Sequence, residues 1–181
     1  MTAENKYFMK TGRLGFRQWT SADLPLALAI WGDAKVTRLV GGPFSKEKVA
    51  ARLEREIASM TAFGVQYWPI FLLKSGEHVG AAGMRVRESQ ESRYSVGYYL
   101  LPEFWGQGLA TEAGRAVIKY AFERLEARSL FAGHHPENAT SARVLEKLGF
   151  NFTHKELYPP TGLMHQSYIL ERPEESSAGS Q

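Results

Sequence analysis

Residues 66–101 carry three extended runs in a row with no helix between them. Gln66 to Lys74 is an apolar strand, Ser75, Gly76 and Glu77 form a turn, and His78 to Arg87 returns. After the polar segment Glu88 to Arg93, expected as an exposed loop, the chain extends again from Tyr94 to Leu101. Consecutive strands joined by short connections pair antiparallel. Beyond Leu101 the pattern changes. Helical periodicity runs over Gly108–Leu125 and again over Asn138–Leu148, with a strand at Ser129–His134 between them. Strand–helix–strand units bring in a parallel neighbour. A sheet that accommodates both halves is mixed and mostly antiparallel, with helices against it, so the expected class is α+β.

The flanks complete the order. Thr11–Trp19 reads as a strand, with Thr20 or Ser21 capping a helix that carries Asp23 in its first turn and Leu24, Leu28 and Trp31 on one face. Gly41, Gly42 and Pro43 break the chain, and Ser45 starts a helix to about Thr61 with Leu53, Ile57 and Met60 inward. Phe150–Tyr158 and Met164–Glu171 are two last strands around the turn PPTG. The chain of 181 residues, 44% apolar and 23% charged, suits one globular domain over residues 11–171. Residues 1–10 read as an N-terminal extension and 172–181 as a disordered polar tail. The absence of cysteine excludes disulfides, a cysteine nucleophile and thiolate metal sites, and suits a cytoplasmic protein. His78, His154 and His165 lack metal-ligand spacing, so no metal is expected. No segment has the length of a membrane span. The net charge of +3 is scattered, with no basic run interleaved with aromatics, which disfavours nucleic acid and leaves a small anionic ligand open.

Gly106 and Gly108 stand where a strand hands over to a helix. A Walker A loop needs G-x-x-x-x-G-K-[ST], which the chain lacks, and a dinucleotide fingerprint needs glycine where Thr111 stands. What remains is a helix start with small residues, where the amides of Gln107, Gly108, Leu109, Ala110 and Thr111 can together hold a pyrophosphate. A ligand-free tight turn fits the spacing equally well.

The segment GYYLLPEFWGQGLATEA, followed by HPENATSARVLEKLGF, resembles the GNAT superfamily of N-acetyltransferases, and in particular its Rim-type (RimJ/RimL-like) branch. RLGFRQWTSADL is similar to that branch's opening strand and helix, so the resemblance spans roughly residues 11–171. It implies the GNAT fold, with a splayed strand pair at the acetyl-CoA site. The superfamily pattern [Q/R]-x-x-G-x-[G/A] runs here from Trp105 through Gly108 to Ala110. Tryptophan at the first position departs from the general pattern and matches the Rim-like branch. The resemblance implies that the turn's amides hold the pyrophosphate of acetyl-CoA, and that Tyr99, Leu100 and Leu101 lie along its pantetheine arm.

In the second motif Asn138 is a good N-cap, and Ser141 shares a helical face with Val144, Leu145 and Leu148. A hydroxyl on an inward stripe needs a partner, which local backbone can supply. The resemblance adds that Ser141 faces the coenzyme sulfur as an acid and that Asn138 touches pantetheine. The tyrosine acid that many superfamily members place one turn later is Leu145 here, and the strand carboxylate often used as base is Ser95. His134 is the candidate general base, by titration range and position at a strand end, with a water relay as the alternative. His135 points to the opposite face of a regular strand, and Glu112 complements the helix dipole. Trp31, Phe44, Phe63, Tyr67 and Trp68 fit either an acceptor cleft or, better, core.

The implied function is acetyl transfer from acetyl-CoA, as co-substrate, to a primary amine by direct attack in a ternary complex. The acceptor is a ribosomal or other protein N-terminus, or a small amine, and the enzyme is a monomer or homodimer. A coenzyme-A-binding sensor or scaffold without catalysis is the alternative, since the usual tyrosine and carboxylate are missing.

Overall fold

The structure is a computed structural model that describes residues 6–87 and 92–173. Eight strands form one sheet: β1 (Met9–Lys10), β2 (Leu14–Phe16), β3 (Tyr67–Leu72), β4 (His78–Val86), β5 (Arg93–Leu100), β6 (Ser129–His134), β7 (Asn151–Tyr158) and β8 (Leu163–Glu171). Their order across the sheet is β1-β2-β3-β4-β5-β6-β8-β7. Neighbours pair antiparallel except β5 and β6, which are parallel. The mixed, mostly antiparallel sheet expected from the order of runs is therefore present.

Five helices flank it: α1 (Leu24–Trp31), α2 (Ala34–Thr37), α3 (Lys46–Phe63), α4 (Leu109–Arg124) and α5 (Ala139–Lys147). They divide between the two faces. One core joins Trp68 and Ile70 of β3, Met84 of β4 and Val96 and Leu100 of β5 to Ala113 and Val117 of α4 and Val144 and Leu145 of α5. The other joins Tyr67, Ala81 and, at its edge, Tyr99 to Ile30 and Trp31 of α1 and Val49 and Leu53 of α3. Alternate residues of each strand thus reach opposite layers.

Several boundaries differ from the sequence reading. The first strand is confined to Leu14–Phe16, and Met9–Lys10, expected in the extension, pairs with it as β1. Thr20 opens a 3-10 turn at Ser21–Asp23 by reciprocal bonds with Asp23, and α1 follows. The unanticipated α2 is capped by Asp33, whose carboxylate accepts from the amides of Lys35 and Val36 at 2.8 Å. Most of the expected Glu88–Arg93 loop and of the 172–181 tail lies outside the described residues, while Arg93 already belongs to β5.

α3 carries a charge on its buried face. Glu56 is 2% exposed, accepts from the Tyr67 amide at 2.8 Å and pairs with Arg85 at 2.8 Å. The carboxylate ties α3 to β3 and β4 at once, which satisfies a group that burial alone would disfavour.

Candidate active site

Strand β5 is bound along one edge and released along the other. Its residues from Tyr94 to Leu100 pair with Val86 to Gly80 of β4 without a register shift. With β6 it pairs only at Arg93–Ser129, Tyr94–Leu130 and Ser95–Phe131. Past Ser95 the two strands separate, and the gap opens into a cavity of about 430 Å³. Ser95 to Tyr99 form one wall and Phe131 to His134 the other, with Asn138, Ser141 and Leu145 of α5 above. Tyr67, Arg87, Glu156, Tyr158, His165 and Tyr168 line the cavity as well.

The register settles which backbone groups face the gap. The Leu101 amide donates to Val79 O at 2.9 Å, so Gly80 and Leu100 oppose each other as a non-hydrogen-bonded pair. Alternation then turns the amides of Tyr98 and Leu100 away from β4, toward the side that β6 has left. The Leu100 carbonyl accepts from Trp105 Nε1 at 2.8 Å, so the half-exposed indole fastens the strand end to the turn after it. Of the three residues expected along a coenzyme arm, Tyr99 lines the cavity, while Leu100 and Leu101 lie past its edge. The Leu101 amide is committed to Val79, which leaves the Leu100 amide as the group those two residues offer the gap.

The turn explains its glycines by conformation. Gly106 (φ 73°) and Gly108 (φ 75°) are both left-handed, where a Cβ is strained. A Cβ on Gly106 would meet nothing within 4 Å, and one on Gly108 only Arg13 Nη2 at 3.7 Å. The first helical bond of α4 runs from the Glu112 amide to Gly108 O at 3.1 Å. The amides of Leu109, Ala110 and Thr111 therefore precede any i to i−4 partner at the positive end of a 16-residue helix. The Gln107 carbonyl accepts from Arg13 Nη1 at 3.0 Å, and Arg13 Nε pairs with Glu112 at 2.7 Å. Glu112 also accepts from the Arg13 amide at 2.8 Å and from the Thr11 hydroxyl. Burial alone would raise the Glu112 carboxyl, but the bonds from Thr11 and Arg13 outweigh it and hold it below the ordinary carboxylate range. Glu112 therefore complements the dipole, as expected, and also clamps the loop between β1 and β2 to the glycine turn. A groove beside Gly108 and Thr111 is lined by Lys10, Arg13, Arg115, Lys119 and Lys147, with Glu112 among them.

At α5, Asn138 Oδ1 accepts from the Ser141 amide at 3.0 Å, the expected cap. Val144, Leu145 and Leu148 are buried, and Ser141, on the same face, looks into the cavity. Beside it stands a residue the sequence reading did not single out. The Tyr98 hydroxyl is buried with no aligned hydrogen-bond partner. Burial pushes the phenol up to about 12, and the adjacent Ser141 hydroxyl opposes that rise without the alignment of a full bond. Strand alternation is the signal that could have found it: Tyr98 shares the α5-facing side of β5 with Val96 and Leu100.

His134 is 5% exposed and both ring nitrogens are engaged. Nδ1 lies 2.8 Å from His135 O, which can only accept, so Nδ1 carries the proton. Nε2 is then the basic nitrogen, and it lies 3.0 Å from the Tyr168 hydroxyl. That hydroxyl has one proton and a second acceptor, Gln166 Oε1, at 2.9 Å. It can thus swing its proton between His134 and Gln166 as the imidazole changes charge. His135 takes the opposite face, as expected: His134 meets Tyr168 and His135 meets His165, β8 residues on opposite faces of the sheet, and both rings line the cavity, which reaches both faces of β5. His135 Nδ1 accepts from the Glu137 amide at 3.1 Å, and its ring meets His165 edge-on at 5.2 Å. Burial, then His135 and His134, hold His165 below the ordinary histidine range. Of the five aromatics weighed for a cleft, Tyr67 lines the cavity. Trp31 and Trp68 are fully buried core, Phe44 packs at the edge of the α1–α3 core and Phe63 is exposed. Among the described residues no group of three or more His, Asp or Glu side chains could hold a metal ion, and no helix is long and apolar enough to cross a membrane.

The sequence and the fold resemble known proteins. The acetyltransferase (GNAT) domain family matches residues 13–151. The N-acetyltransferase YoaA of Bacillus subtilis (strain 168) is 29% identical over 149 residues, covering 78% of this chain and 81% of that protein. The acetyltransferase from Agrobacterium tumefaciens str. C58 superposes with a TM-score of 0.77 at 26% identity, over 91% of this chain and 94% of that one. RimL, a ribosomal L7/L12 alpha-N-protein acetyltransferase solved in complex with coenzyme A, shares the fold with a TM-score of 0.76 at 18% identity, over 89% and 95%. The chain belongs to the GNAT family of acetyltransferases and is an N-acetyltransferase.

Proposed function

We propose that the gap between β5 and β6 takes the acetyl-pantetheine arm of acetyl-CoA and that the acetyl group passes to a primary amine. One observation carries this reading: β5 keeps its full pairing with β4 but leaves β6 after Ser95, so its outer amides face a cavity between the two strands. The amides of Leu109, Ala110 and Thr111, with those of Gln107 and Gly108 in the turn, suit the pyrophosphate. Arg115, Lys119 and Lys147 add positive charge along the same groove. Asn138 at the cavity wall suits the pantetheine amides. The Tyr98 or Leu100 amide suits the developing thioester oxyanion.

With no cysteine in the chain to carry the acetyl group, the amine attacks the thioester directly. Its lone pair forms the C–N bond, the C–S bond breaks, and the electron pair leaves on sulfur. Ser141 is the acid that meets that sulfur, and the nearby N-terminus of α5 favours the thiolate. His134 is the base. Its basic Nε2 is reached through the Tyr168 hydroxyl, so the amine's proton arrives by that hydroxyl or leaves through water. The Glu156 carboxylate on the cavity wall suits an incoming ammonium group. The RimL neighbour is named for acetylating a ribosomal protein's α-amine, which makes peptide N-termini the first acceptors to test, ahead of small amines. We expect the enzyme to act in the cytoplasm as a monomer or homodimer.

Calorimetry with acetyl-CoA, followed by an acceptor screen that detects released thiol, tests the reading. Saturable binding and amine-dependent thiol release are expected. No binding at millimolar acetyl-CoA overturns it, and binding without turnover on any amine returns the chain to a coenzyme-binding module.

A further inference from the structure

Three features on the cavity walls bear on the leaving group. The Tyr98 hydroxyl is buried and has no aligned partner in the protein. It stands next to the Ser141 hydroxyl, and both side chains line the cavity between β5 and α5. The position one turn after Ser141 is Leu145, 3% exposed and unable to give a proton. A buried phenol without a partner is disfavoured in a structural role, because it loses hydration and gains no bond. The other titratable groups nearby are occupied elsewhere: His134 with Tyr168, and Glu156 with Ser167 at 2.6 Å.

Resting on the acetyl-CoA reading above, we propose that Tyr98 is the proton source behind Ser141. As the C–S bond breaks, Ser141 passes its hydroxyl proton to the sulfur and takes the phenolic proton of Tyr98 in the same step. The tyrosinate left behind is reprotonated from solvent after the free thiol departs. An aliphatic hydroxyl is a weak proton donor alone; the phenol, even raised by burial, is the stronger acid in the pair. Ser141 touches the reacting atom, and Tyr98 acts through it. The tyrosine found on the helix in many relatives is thus replaced in role by one on the facing strand.

The test compares wild type with Tyr98→Phe, Ser141→Ala and the double variant. Tyr98→Phe removes only a hydroxyl without an aligned partner, so folding is retained. The relay predicts that kcat falls at least about tenfold in Tyr98→Phe while the KM for acetyl-CoA stays within about twofold. The double variant should be no slower than the slower single, because both remove one path. A second readout needs no acceptor: calorimetry of free coenzyme A binding in two buffers of different ionisation enthalpy counts the protons released. Wild type should release more protons near pH 8 than Tyr98→Phe, because the relay stabilises the bound thiolate. Unchanged kcat, losses that multiply in the double variant, or equal proton release overturn the relay while leaving the acetyl-CoA reading standing. Failure of both proteins to bind coenzyme A overturns that reading and the relay with it.

Discussion

The two edges of β5 use the same backbone for opposite ends. Toward β4, seven consecutive residue pairs are zipped. Gly80 on the facing strand lets the sheet close so tightly that a Cβ there would strike the Tyr99 carbonyl. Toward β6, pairing stops after three residue pairs, and the amides and side chains beyond it line a cavity. Backbone donors away from water must find partners. On the first edge the partner is protein, and on the second the proposed partner is the coenzyme. Residues on the zipped side should therefore govern stability, and residues on the open side should govern coenzyme use with little effect on the fold.

The sharpest way to break that contrast is on the zipped side. Gly80→Val forces β4 and β5 apart and should cost about 3 kcal/mol or more in urea-monitored unfolding. A soluble, normally stable variant would show that the close packing is not needed. A second test away from the cavity is the ion pair at the start of α1. Arg17 meets Asp23 at 2.7 Å. Burial alone would raise the Asp23 carboxyl, but the Arg17 and Thr20 bonds outweigh it and hold it down to about 2. A depressed carboxyl stabilises the fold above its unfolded pKa near 4 and loses that contribution as pH falls toward 2, here about 2 kcal/mol. Unfolding free energy measured across this window should fall in the wild type, and that part of the slope should vanish in Asp23→Asn.

On the open side, Gly108→Ala should cost only about 1 kcal/mol of stability, from the left-handed backbone. It should raise the KM for acetyl-CoA several-fold, because the added methyl faces the open side of the turn beside Arg13. Equal KM would make the glycine purely conformational. The smallest effect is expected from Asn138→Ala, which removes the α5 cap for about 1 kcal/mol. It should weaken coenzyme binding modestly, read by calorimetry.

The sequence showed the parts built from local rules. The antiparallel run through β3, β4 and β5, the helix after the glycine turn and the Asn138 cap follow from period, turn residues and capping chemistry, and each is present. The place of β8 between β6 and β7 is a matter of non-local pairing that no local pattern encodes. Nothing local sets Glu56 apart from the other charges of α3, because only the folded chain brings Arg85 and the Tyr67 amide to it. The site divided in the same way. Ser141 and the glycine turn were legible, because each sits in a motif within one element. Tyr98 was not, because its meaning depends on a hydroxyl on another element more than forty residues away.

The most direct measurement of the central claim is amide hydrogen exchange with and without coenzyme A. The open edge predicts new protection at Val96, Tyr98 and Leu100 and at Leu109–Thr111 when the ligand binds, with His78–Val86 of β4 already protected and unchanged. Protection confined to other segments, or none at β5 under saturating ligand, would contradict a coenzyme site between β5 and β6.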